Sequence, residues 1–270
     1  MKFSVLMSIY YKERPEYFDR AMVSIWDEQK RKPDEVVLVI DGKLPDELYA
    51  IIHKWKNKLG DILKIVPLEK NVGLGGALNE GLKHCSYELI ARMDSDDISL
   101  PDRFEKQLRI FRDYDIDVCG GWVAEFDKNE KQVISYRKVP EHHYEIVKFA
   151  KRRSPINHPT VMFKKSAVEK IGGYRKIRFV EDYDLWVRLI VNGAKFYNIQ
   201  EVLVYMSAGD YMIEKRRGLK YAITEIKLQK EFLRMGFINH FEFLTNISTR
   251  ATARIMPKSL LKIIYNVFRR

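Results

Sequence analysis

Cysteine is almost absent from this sequence, and long apolar runs are missing. The two cysteines, Cys85 and Cys119, have neither a pairing motif nor the spacing of a metal site, which argues against a disulfide-rich or zinc-cluster protein. They suit a reducing cytoplasm. The apolar run Phe3–Ile9 is too short for a signal peptide, and no run approaches the length of a membrane span, so we expect no spanning helix.

Acidic residues are scarce only near the end of the chain. The net charge is +11, and residues 211–270 hold 13 of the 48 Lys and Arg residues but 4 of the 37 Asp and Glu residues. The first 210 residues are therefore nearly balanced, and with 46% hydrophobic residues the chain can bury a core. A basic tail is typical of proteins that bind an anionic membrane surface or nucleic acid, and equally of a solvated helical face.

Strand and helix patterns alternate over the first hundred residues. Buried strands are predicted at Phe3–Ile9, Glu35–Ile40, Leu63–Pro67 and Leu89–Met93, with helical segments between them. This rhythm predicts an α/β fold with a mostly parallel sheet and helices on both faces. Right-handed crossovers place the carboxyl ends of these strands at one edge, which is where ligands of open α/β sheets bind.

Three carboxylates crowd the end of the fourth predicted strand. Asp94, Asp96 and Asp97 fall within four positions. Acids this close repel one another, and a hard cation such as Mg²⁺ or Mn²⁺ is the usual compensation. The alternative is a solvated acidic turn that caps the next helix, with Asp102 taking part after Pro101. The position at the end of a strand favours the metal site.

A glycine-rich stretch, Asn71–Gly76, precedes the third predicted helix. Glycines there let backbone N–H groups approach a phosphate or a sugar, although a plain turn has the same composition. It is not the dinucleotide fingerprint, because that motif directly follows the first strand and Leu78 replaces its last glycine. Tyr10 and Asp41 follow the first two strands and should lie at the same edge.

The second half is less regular. A hairpin is predicted from Val118–Phe126 and Val133–Tyr136, and an amphipathic helix begins near Asp182. Glu181 and Asp182 at its start have two interpretations: acids that cap the helix, or one acid that faces the cleft as a general base. Asp184 and Arg188 stand four residues apart and should form an ion pair.

The order of these motifs resembles a known family. The motifs that carry the resemblance are Asp41-Gly42, Asn71-Val72-Gly73, Asp94-Ser95-Asp96-Asp97, Gly172-Gly173-Tyr174 and Glu181-Asp182-Tyr183-Asp184-Leu185-Trp186. Over roughly residues 2–205 the sequence looks like a family 2 glycosyltransferase of the GT-A fold, the bacterial type that builds O-antigen and capsular polysaccharide. Each motif is weak alone, but the ordered set is specific.

The resemblance implies an inverting transferase that uses a nucleotide sugar, most often with UDP, and a divalent cation, Mn²⁺ or Mg²⁺. It implies a catalytic domain over residues 1–210, with a nucleotide-sugar half (1–97) and an acceptor half (98–210), followed by a basic helical extension (211–270). The residues carried over are Tyr10, Asp41, Asn71, Gly73, Asp94 and Asp96 for the donor, Asp96 and Asp97 for the metal, Asp182 as the base, and His158 and Trp186 near the sugars. A packed histidine and a core tryptophan are equally good interpretations of the last two.

Two further features bear on the class of reaction. The Gln-x-x-Arg-Trp motif of processive family members is missing, which predicts one sugar added per visit. A sugar-nucleotide nucleotidyltransferase is a weaker alternative, because it should carry a glycine-rich loop after the first strand, where Tyr10–Pro15 has no glycine. A nucleic-acid-binding protein is another, but no such signature precedes the basic tail.

The basic tail predicts an association with membranes. A helix is expected from Pro257 to about Phe268, with an apolar stripe of Leu260, Leu261, Ile264 and Phe268 among Lys258, Lys262, Arg269 and Arg270, and a second basic cluster at Lys215, Arg216, Arg217 and Lys220. Acceptors in this kind of pathway are carried on a membrane lipid diphosphate. We therefore expect a peripheral protein on the inner face of the cell membrane, with packing of the helix on the catalytic domain as the alternative.

Overall fold

The computed structural model describes residues 1–127, 132–177, 179–207 and 218–251. In these residues the strands are β1 (Phe3–Ile9), β2 (Glu35–Asp41), β3 (Leu63–Leu68), β4 (Leu89–Met93), β5 (Ile98–Ser99), β6 (Val118–Phe126), β7 (Val133–Arg137), β8 (Met162–Lys164) and β9 (Phe196–Ser207). The α-helices are α1 (Pro15–Ile25), α2 (Asp46–Leu59), α3 (Leu74–His84), α4 (Arg103–Asp113), α5 (His143–Ala150), α6 (Lys165–Lys170), α7 (Glu181–Val191), α8 (Leu219–Arg234) and α9 (His240–Asn246). Single 3₁₀ turns cover Gly60–Ile62 and His158–Thr160, and a π-helical turn, Ile247–Ala251, follows α9.

One sheet holds all of these strands. Its order is β3-β2-β1-β4-β8-β6-β9-β5, and β7 pairs with β6 beside that path. Strands β1 to β4 are parallel, with Val5 of β1 aligned to Val36 of β2 and to Ala91 of β4. Because their crossovers return the chain to the same side, the carboxyl ends of these four strands meet at one edge, as the sequence predicts.

The sheet is mixed beyond β4. Strand β8 is antiparallel to both β4 and β6, β6 is parallel to β9, and β5 is antiparallel to β9. The hairpin predicted after residue 118 is present as β6 and β7. A parallel arrangement therefore holds throughout the first half of the sheet, while the second half combines the parallel pair of β6 and β9 with antiparallel pairs made by β5, β7 and β8.

Helices cover both faces of the sheet, which confirms the predicted α/β architecture. Helices α1, α2 and α4 pack on one face with Val5 and Met7, and α3, α6 and α7 pack on the other with Leu6. Since β1, β2 and β4 are buried on both faces, their sequences read as nearly continuous apolar runs. Burying each large apolar side chain contributes about 1.5–3 kcal/mol.

The described residues after β9, 218–251, pack against helix α7. Tyr221, Leu228 and Phe232 of α8 form a third apolar cluster with Tyr183 and Val187 of α7. The helix expected at residues 257–268, and the basic residues 215–217, lie outside the described residues. In the part of the chain that the structure describes, every helix is too short or too polar to cross a bilayer.

Candidate active site

A cleft of about 2160 Å³ opens at the carboxyl edge of β1 to β4. Its lining includes the ends of β1, β2 and β4, the start of α3, β7, the start of α7 and parts of α8. The predicted site residues that line it are Tyr10, Asp41, Asn71, Gly73, Asp94, Asp96, Asp97, His158 and Asp182. The fold therefore brings together motifs that are separated by more than 170 positions in the sequence.

Asp41 fixes the glycine loop before α3. Its carboxylate accepts hydrogen bonds from the N–H groups of Val72 (2.7 Å) and Gly73 (3.1 Å), and the Asn71 side chain donates to the Asp41 carbonyl at 3.2 Å. The next residue, Gly42, has a φ of +85°, and a Cβ there would lie 2.8 Å from the Asn71 nitrogen. Only glycine can adopt this φ and lie this close to the Asn71 backbone. Asp41 and Gly42 together therefore fix the position of the loop that leads into α3.

Arg92 is a buried cation under the acidic cluster, and its role is missed by the sequence analysis. It is 2% exposed, and both of its terminal nitrogens pair with the carboxylate of Asp94. Burial alone would lower the pKa of Arg92, but the adjacent Asp94 outweighs burial and raises it. A signal was available, because Arg92 interrupts an otherwise apolar strand and a buried arginine needs an anionic partner.

The surrounding protein disfavours the charged forms of Asp96 and Asp97. Asp96 is exposed to the cleft, where the surrounding protein and the carboxylates of Asp94 and Glu13 raise its pKa to about 7. Asp97 is 2% exposed, and burial followed by repulsion from Asp96 raises its pKa well above its usual range. One Asp97 oxygen accepts from the Ser207 N–H at 3.2 Å, while the other is buried with no hydrogen-bond partner among the described residues.

These oxygens fit a hard cation that also binds a substrate. Among the residues that the structure describes, no three His, Cys, Asp or Glu side chains form a preformed metal cage. Mg²⁺ and Mn²⁺ need no such cage when a substrate supplies phosphate oxygens, because one or two carboxylates then suffice. The orphaned oxygen of Asp97 and the exposed carboxylate of Asp96 are suitable donors.

Glu13 is a fourth carboxylate at this cluster that the sequence analysis does not find. It lies in the loop after β1, accepts a hydrogen bond from the Ser95 hydroxyl, and accepts another from the Arg14 N–H at 2.9 Å. No sequence pattern connects it with residues 94–97. Only the parallel pairing of β1 with β4 places the two loops side by side.

His158 is held in a buried hydrogen-bonded pair. Its Nε2 lies 2.9 Å from the hydroxyl of Tyr174, whose backbone is bracketed by two hydrogen bonds with the Asn79 side chain (2.7 and 2.8 Å). Burial, with the nearby Arg92 cation, lowers the pKa of His158 well below its usual range, so the ring is neutral. The Gly-Gly-Tyr motif therefore serves to connect α3 with His158.

Trp186 does not reach the cleft. It is fully buried in the core between α7 and the sheet, and its ring lies edge-on to His158 with 5.9 Å between centroids. The Trp186 ring therefore packs against the His158 ring within the core. A large aromatic one turn into an amphipathic helix is a core position, which is the other interpretation that the sequence left open.

The three acids at the start of α7 differ in surroundings. Asp184 is fully buried and pairs with Arg188 at 2.7 Å, as the spacing predicts, and Arg188 also donates to the carbonyls of Ile171 and Gly173. Asp184 is thus a structural residue. Asp182 is partly exposed in the cleft, and one of its oxygens accepts from the Tyr183 N–H at 2.8 Å.

Glu181 also lines the cleft, and its side chain is partly buried. One of its carboxylate oxygens is buried with no hydrogen-bond partner among the described residues. Burial, with a smaller contribution from Asp182, raises the pKa of Glu181. The arrangement offers two further carboxylates in the same cleft, one partly exposed and one half-enclosed.

A strained residue precedes these acids. Phe179 has a φ of +79°, and it is the only non-glycine residue with a positive φ in the described part of the chain. A left-handed backbone costs a residue with a Cβ about 1–3 kcal/mol and persists only where the surroundings enforce it. Such outliers cluster at functional sites, so the turn into α7 is set by its environment rather than by local preference.

Comparisons with known proteins agree with this architecture. The model of Glycosyl transferase family 2 matches residues 4–172. A UDP-Gal:alpha-D-GlcNAc-diphosphoundecaprenol beta-1,3-galactosyltransferase from Escherichia coli is 42% identical, over 98% of this chain and 95% of its own length. The amylovoran biosynthesis glycosyltransferase AmsE from Erwinia amylovora is 38% identical, over 97% of each chain.

Solved structures share the fold at lower identity. S. aureus TarS in complex with UDP-GlcNAc superimposes with a TM-score of 0.70 and 20% identity, covering 94% of this chain and 74% of that one. The mannosyltransferase PcManGT from Pyrobaculum calidifontis, in complex with GDP-Man and Mn²⁺, gives a TM-score of 0.65 and 18% identity, covering 93% and 69%. The fold is that of the GT-A transferases, and the chain belongs to glycosyl transferase family 2.

Proposed function

We propose that this protein transfers one sugar from a UDP-sugar to a hydroxyl of a lipid-linked saccharide during the synthesis of a surface polysaccharide. The observation that carries this proposal is a cleft whose lining includes both the acidic cluster at Asp94, Asp96 and Asp97 and a separate pair of acids, Glu181 and Asp182. The full-length similarity to a transferase named for UDP-Gal and a diphosphoundecaprenol acceptor supports the choice of donor and acceptor.

The donor is expected to bind along the edge formed by β1, β2 and β4. Tyr10 and Asp41 border the space for the base, and Asn71 and Gly73 form the loop beside it. The Asp41 oxygens already hold two backbone N–H groups, so a base bound there would meet a fixed rather than a mobile carboxylate. Asp94 is held in place by Arg92 for a contact with the ribose or the base.

The diphosphate of the donor requires compensation for its charge. Mn²⁺ or Mg²⁺, held by Asp96 with Asp97, would neutralise the diphosphate and stabilise the charge that develops on the departing UDP. This role is consistent with the raised pKa values of both carboxylates, which reflect burial first and then the neighbouring negative charges. Because UDP leaves as a stabilised anion, no general acid is needed on that side.

Asp182 is proposed as the base. It would take the proton of the acceptor hydroxyl while that oxygen forms a bond to the anomeric carbon, and the bond from the anomeric carbon to the diphosphate oxygen breaks on the opposite face. A single displacement of this kind inverts the anomeric centre, as in the one-step logic of inverting glycosidases. A positioned base contributes about 10²–10⁴-fold to the rate.

His158 is proposed to contact the sugar that occupies the middle of the cleft. It is neutral and fixed by Tyr174, so it can exchange a hydrogen bond with a hydroxyl without carrying charge. Trp186 would act only through the position of His158. The absence of the Gln-x-x-Arg-Trp motif from the sequence supports transfer of one sugar per visit.

A donor and acceptor panel tests the proposed function. Full-length protein with Mn²⁺ is expected to release UDP from UDP-Gal, or from another UDP-sugar of the panel, only when a GlcNAc-diphosphate-lipid acceptor is present. The rival functions are measured in parallel: pyrophosphate release from UTP and a sugar 1-phosphate, and thermal shift with single-stranded RNA. Activity in either parallel assay, with no acceptor-dependent UDP release, would overturn the proposal.

We also propose that the protein works at the inner face of the cell membrane, held by its basic C-terminal residues. Each Lys or Arg near an anionic leaflet contributes about 1 kcal/mol, and a shallow apolar face adds reversible anchoring. The described helices α8 and α9 pack on the catalytic domain, so a chain that ends at Arg254 keeps them and removes only the residues beyond.

Vesicle co-sedimentation tests this membrane contact. Full-length protein is expected to pellet with anionic vesicles, not with neutral ones, and to be released by high salt. The chain ending at Arg254 should remain folded and active on a water-soluble acceptor but stay in the supernatant. Unfolding of that shorter chain, or binding that ignores lipid charge, would contradict the proposal.

A further inference from the structure

The strained residue before the acid pair is held by the C-terminal extension. The ring of Phe179 stacks on that of Tyr221 from α8, with 4.9 Å between centroids and 23° between planes. The Tyr221 hydroxyl also donates to the Phe179 carbonyl at 3.4 Å. Both side chains border the cleft. Helix α8 thus contacts the turn that leads directly into Glu181 and Asp182.

The same extension contacts the residue that follows the acid pair. The Arg250 guanidinium lies 5.3 Å from the centre of the Tyr183 ring and makes two hydrogen bonds of 2.7 Å to Glu225 of α8. A further N–H of Arg250 donates to the Arg152 carbonyl at 2.8 Å. The Tyr183 hydroxyl donates to the Ala150 carbonyl at 2.6 Å, so this ring is fixed on two sides.

We name Tyr221, Glu225 and Arg250 the C-terminal clamp. Its members hold residues 179 and 183, and the two acids lie between these points. The Val180 N–H donates to the Ile177 carbonyl at 3.4 Å, which closes a turn with Phe179 at its third position. Glycine is the usual residue where that position has a positive φ. A phenylalanine there indicates that an interaction of the ring stabilises the turn.

We propose that the C-terminal clamp is part of the catalytic apparatus, in which Tyr221 and Arg250 are positioning residues that orient the Asp182 carboxylate toward the acceptor hydroxyl. The proposal rests on the role proposed above for Asp182. It assigns a function in catalysis to helices that lie beyond the residues matched by the family model, which end at 172. Proton transfer needs the base within hydrogen-bonding reach, so a displaced turn would slow the chemical step without weakening donor binding.

Replacing Tyr221 in the full-length protein tests the clamp. Tyr221→Ala removes the stack and is expected to lower kcat by about 10–100-fold, the effect of a misplacement near 1 Å, while KM for the UDP-sugar stays within about twofold. Tyr221→Phe keeps the ring and should restore most of the rate. Phe179→Ala is a second variant, which removes the same stack from the other side.

A matched control separates positioning from stability. Phe237→Ala removes another aromatic side chain of the same apolar cluster, whose ring contact among the described residues is with Phe232 rather than with Phe179. It is expected to lower Tm as Tyr221→Ala does, yet to leave kcat within about twofold of wild type. An equal fall of kcat in Phe237→Ala would mean that the loss follows stability alone and would overturn the proposal.

Hydrogen exchange gives a result that does not depend on turnover. Amides of residues 179–184 are expected to exchange faster in Tyr221→Ala than in wild type, with β1 to β4 unchanged. Unchanged exchange of residues 179–184 in Tyr221→Ala would overturn the proposal. An unchanged kcat of Tyr221→Ala with a raised KM for the acceptor would also overturn it, because Tyr221 would then be an acceptor contact. A wild-type protein without acceptor-dependent UDP release would instead overturn the proposed function, and the exchange result would still decide whether the clamp holds the turn.

Discussion

Replacing Asp96 with alanine is expected to abolish sugar transfer, by about 10³-fold or more. Asp96 is the carboxylate most exposed to the cleft among the crowded acids, and its pKa of about 7 reflects the enclosing protein first and then the negative charge of Asp94 and Glu13. A cation held by Asp96 would stabilise the charge on the leaving group by several kcal/mol, and each 1.4 kcal/mol corresponds to about tenfold in rate.

Two measurements check this expectation. UDP release reports the reaction, and calorimetric titration of UDP with and without Mn²⁺ reports metal-dependent binding, which should disappear in Asp96→Ala. Asp102→Ala is the control, because Asp102 lies six positions further along, outside the cleft, and pairs with Lys106 at 2.8 Å. Undiminished turnover of Asp96→Ala in the presence of EDTA would show that the metal assignment is wrong.

Asp182→Asn is expected to lower kcat by about two to four orders of magnitude while UDP-sugar affinity is retained. The amide has nearly the same shape as the carboxylate but cannot accept the acceptor proton, so only the chemical step is affected. Single-turnover kinetics with a saturating donor measure the effect. Titration of the donor, followed separately, checks that binding is unchanged.

The neighbouring acids provide the controls for this experiment. Glu181→Gln removes the charge of the half-enclosed carboxylate and is expected to affect the rate less than Asp182→Asn. Asp184→Asn breaks the buried ion pair with Arg188 and should lower Tm. Removing one partner of a buried ion pair lowers the free energy of unfolding by about 3–5 kcal/mol, because the other charge stays buried without compensation. A crippled Glu181→Gln beside a mild Asp182→Asn would reassign the base.

The sequence predicts those features that depend on neighbouring residues along the chain. Strands β1 to β4 follow from their apolar runs, and the edge at which they end follows from the handedness of crossovers. The ion pair of Asp184 with Arg188 follows from helical spacing, and the structure confirms it. The same edge holds the residues expected from the resemblance, from Tyr10 to Asp182, although what each one binds stays a prediction.

Features that depend on distant segments could not be predicted from the sequence. Glu13 reaches the acidic cluster only because β1 lies beside β4, and Tyr221 reaches Phe179 only because α8 packs across α7. The burial of Trp186 is decided by which face of α7 meets the sheet, a choice that periodicity alone leaves open. Each of these contacts joins residues that are far apart in the sequence, and no local sequence pattern shows that they meet.

The position of β8 between β4 and β6 has a consequence for synthesis of the protein. Ala91 of β4 pairs with Met162 of β8, so this side of β4 has no partner strand until the chain has grown about 70 residues further. An unpaired edge of a buried strand is a template for aggregation, and contacts between distant segments form slowly. Residues 1–97 therefore cannot complete the pairing of β4 before residue 164 has emerged from the ribosome.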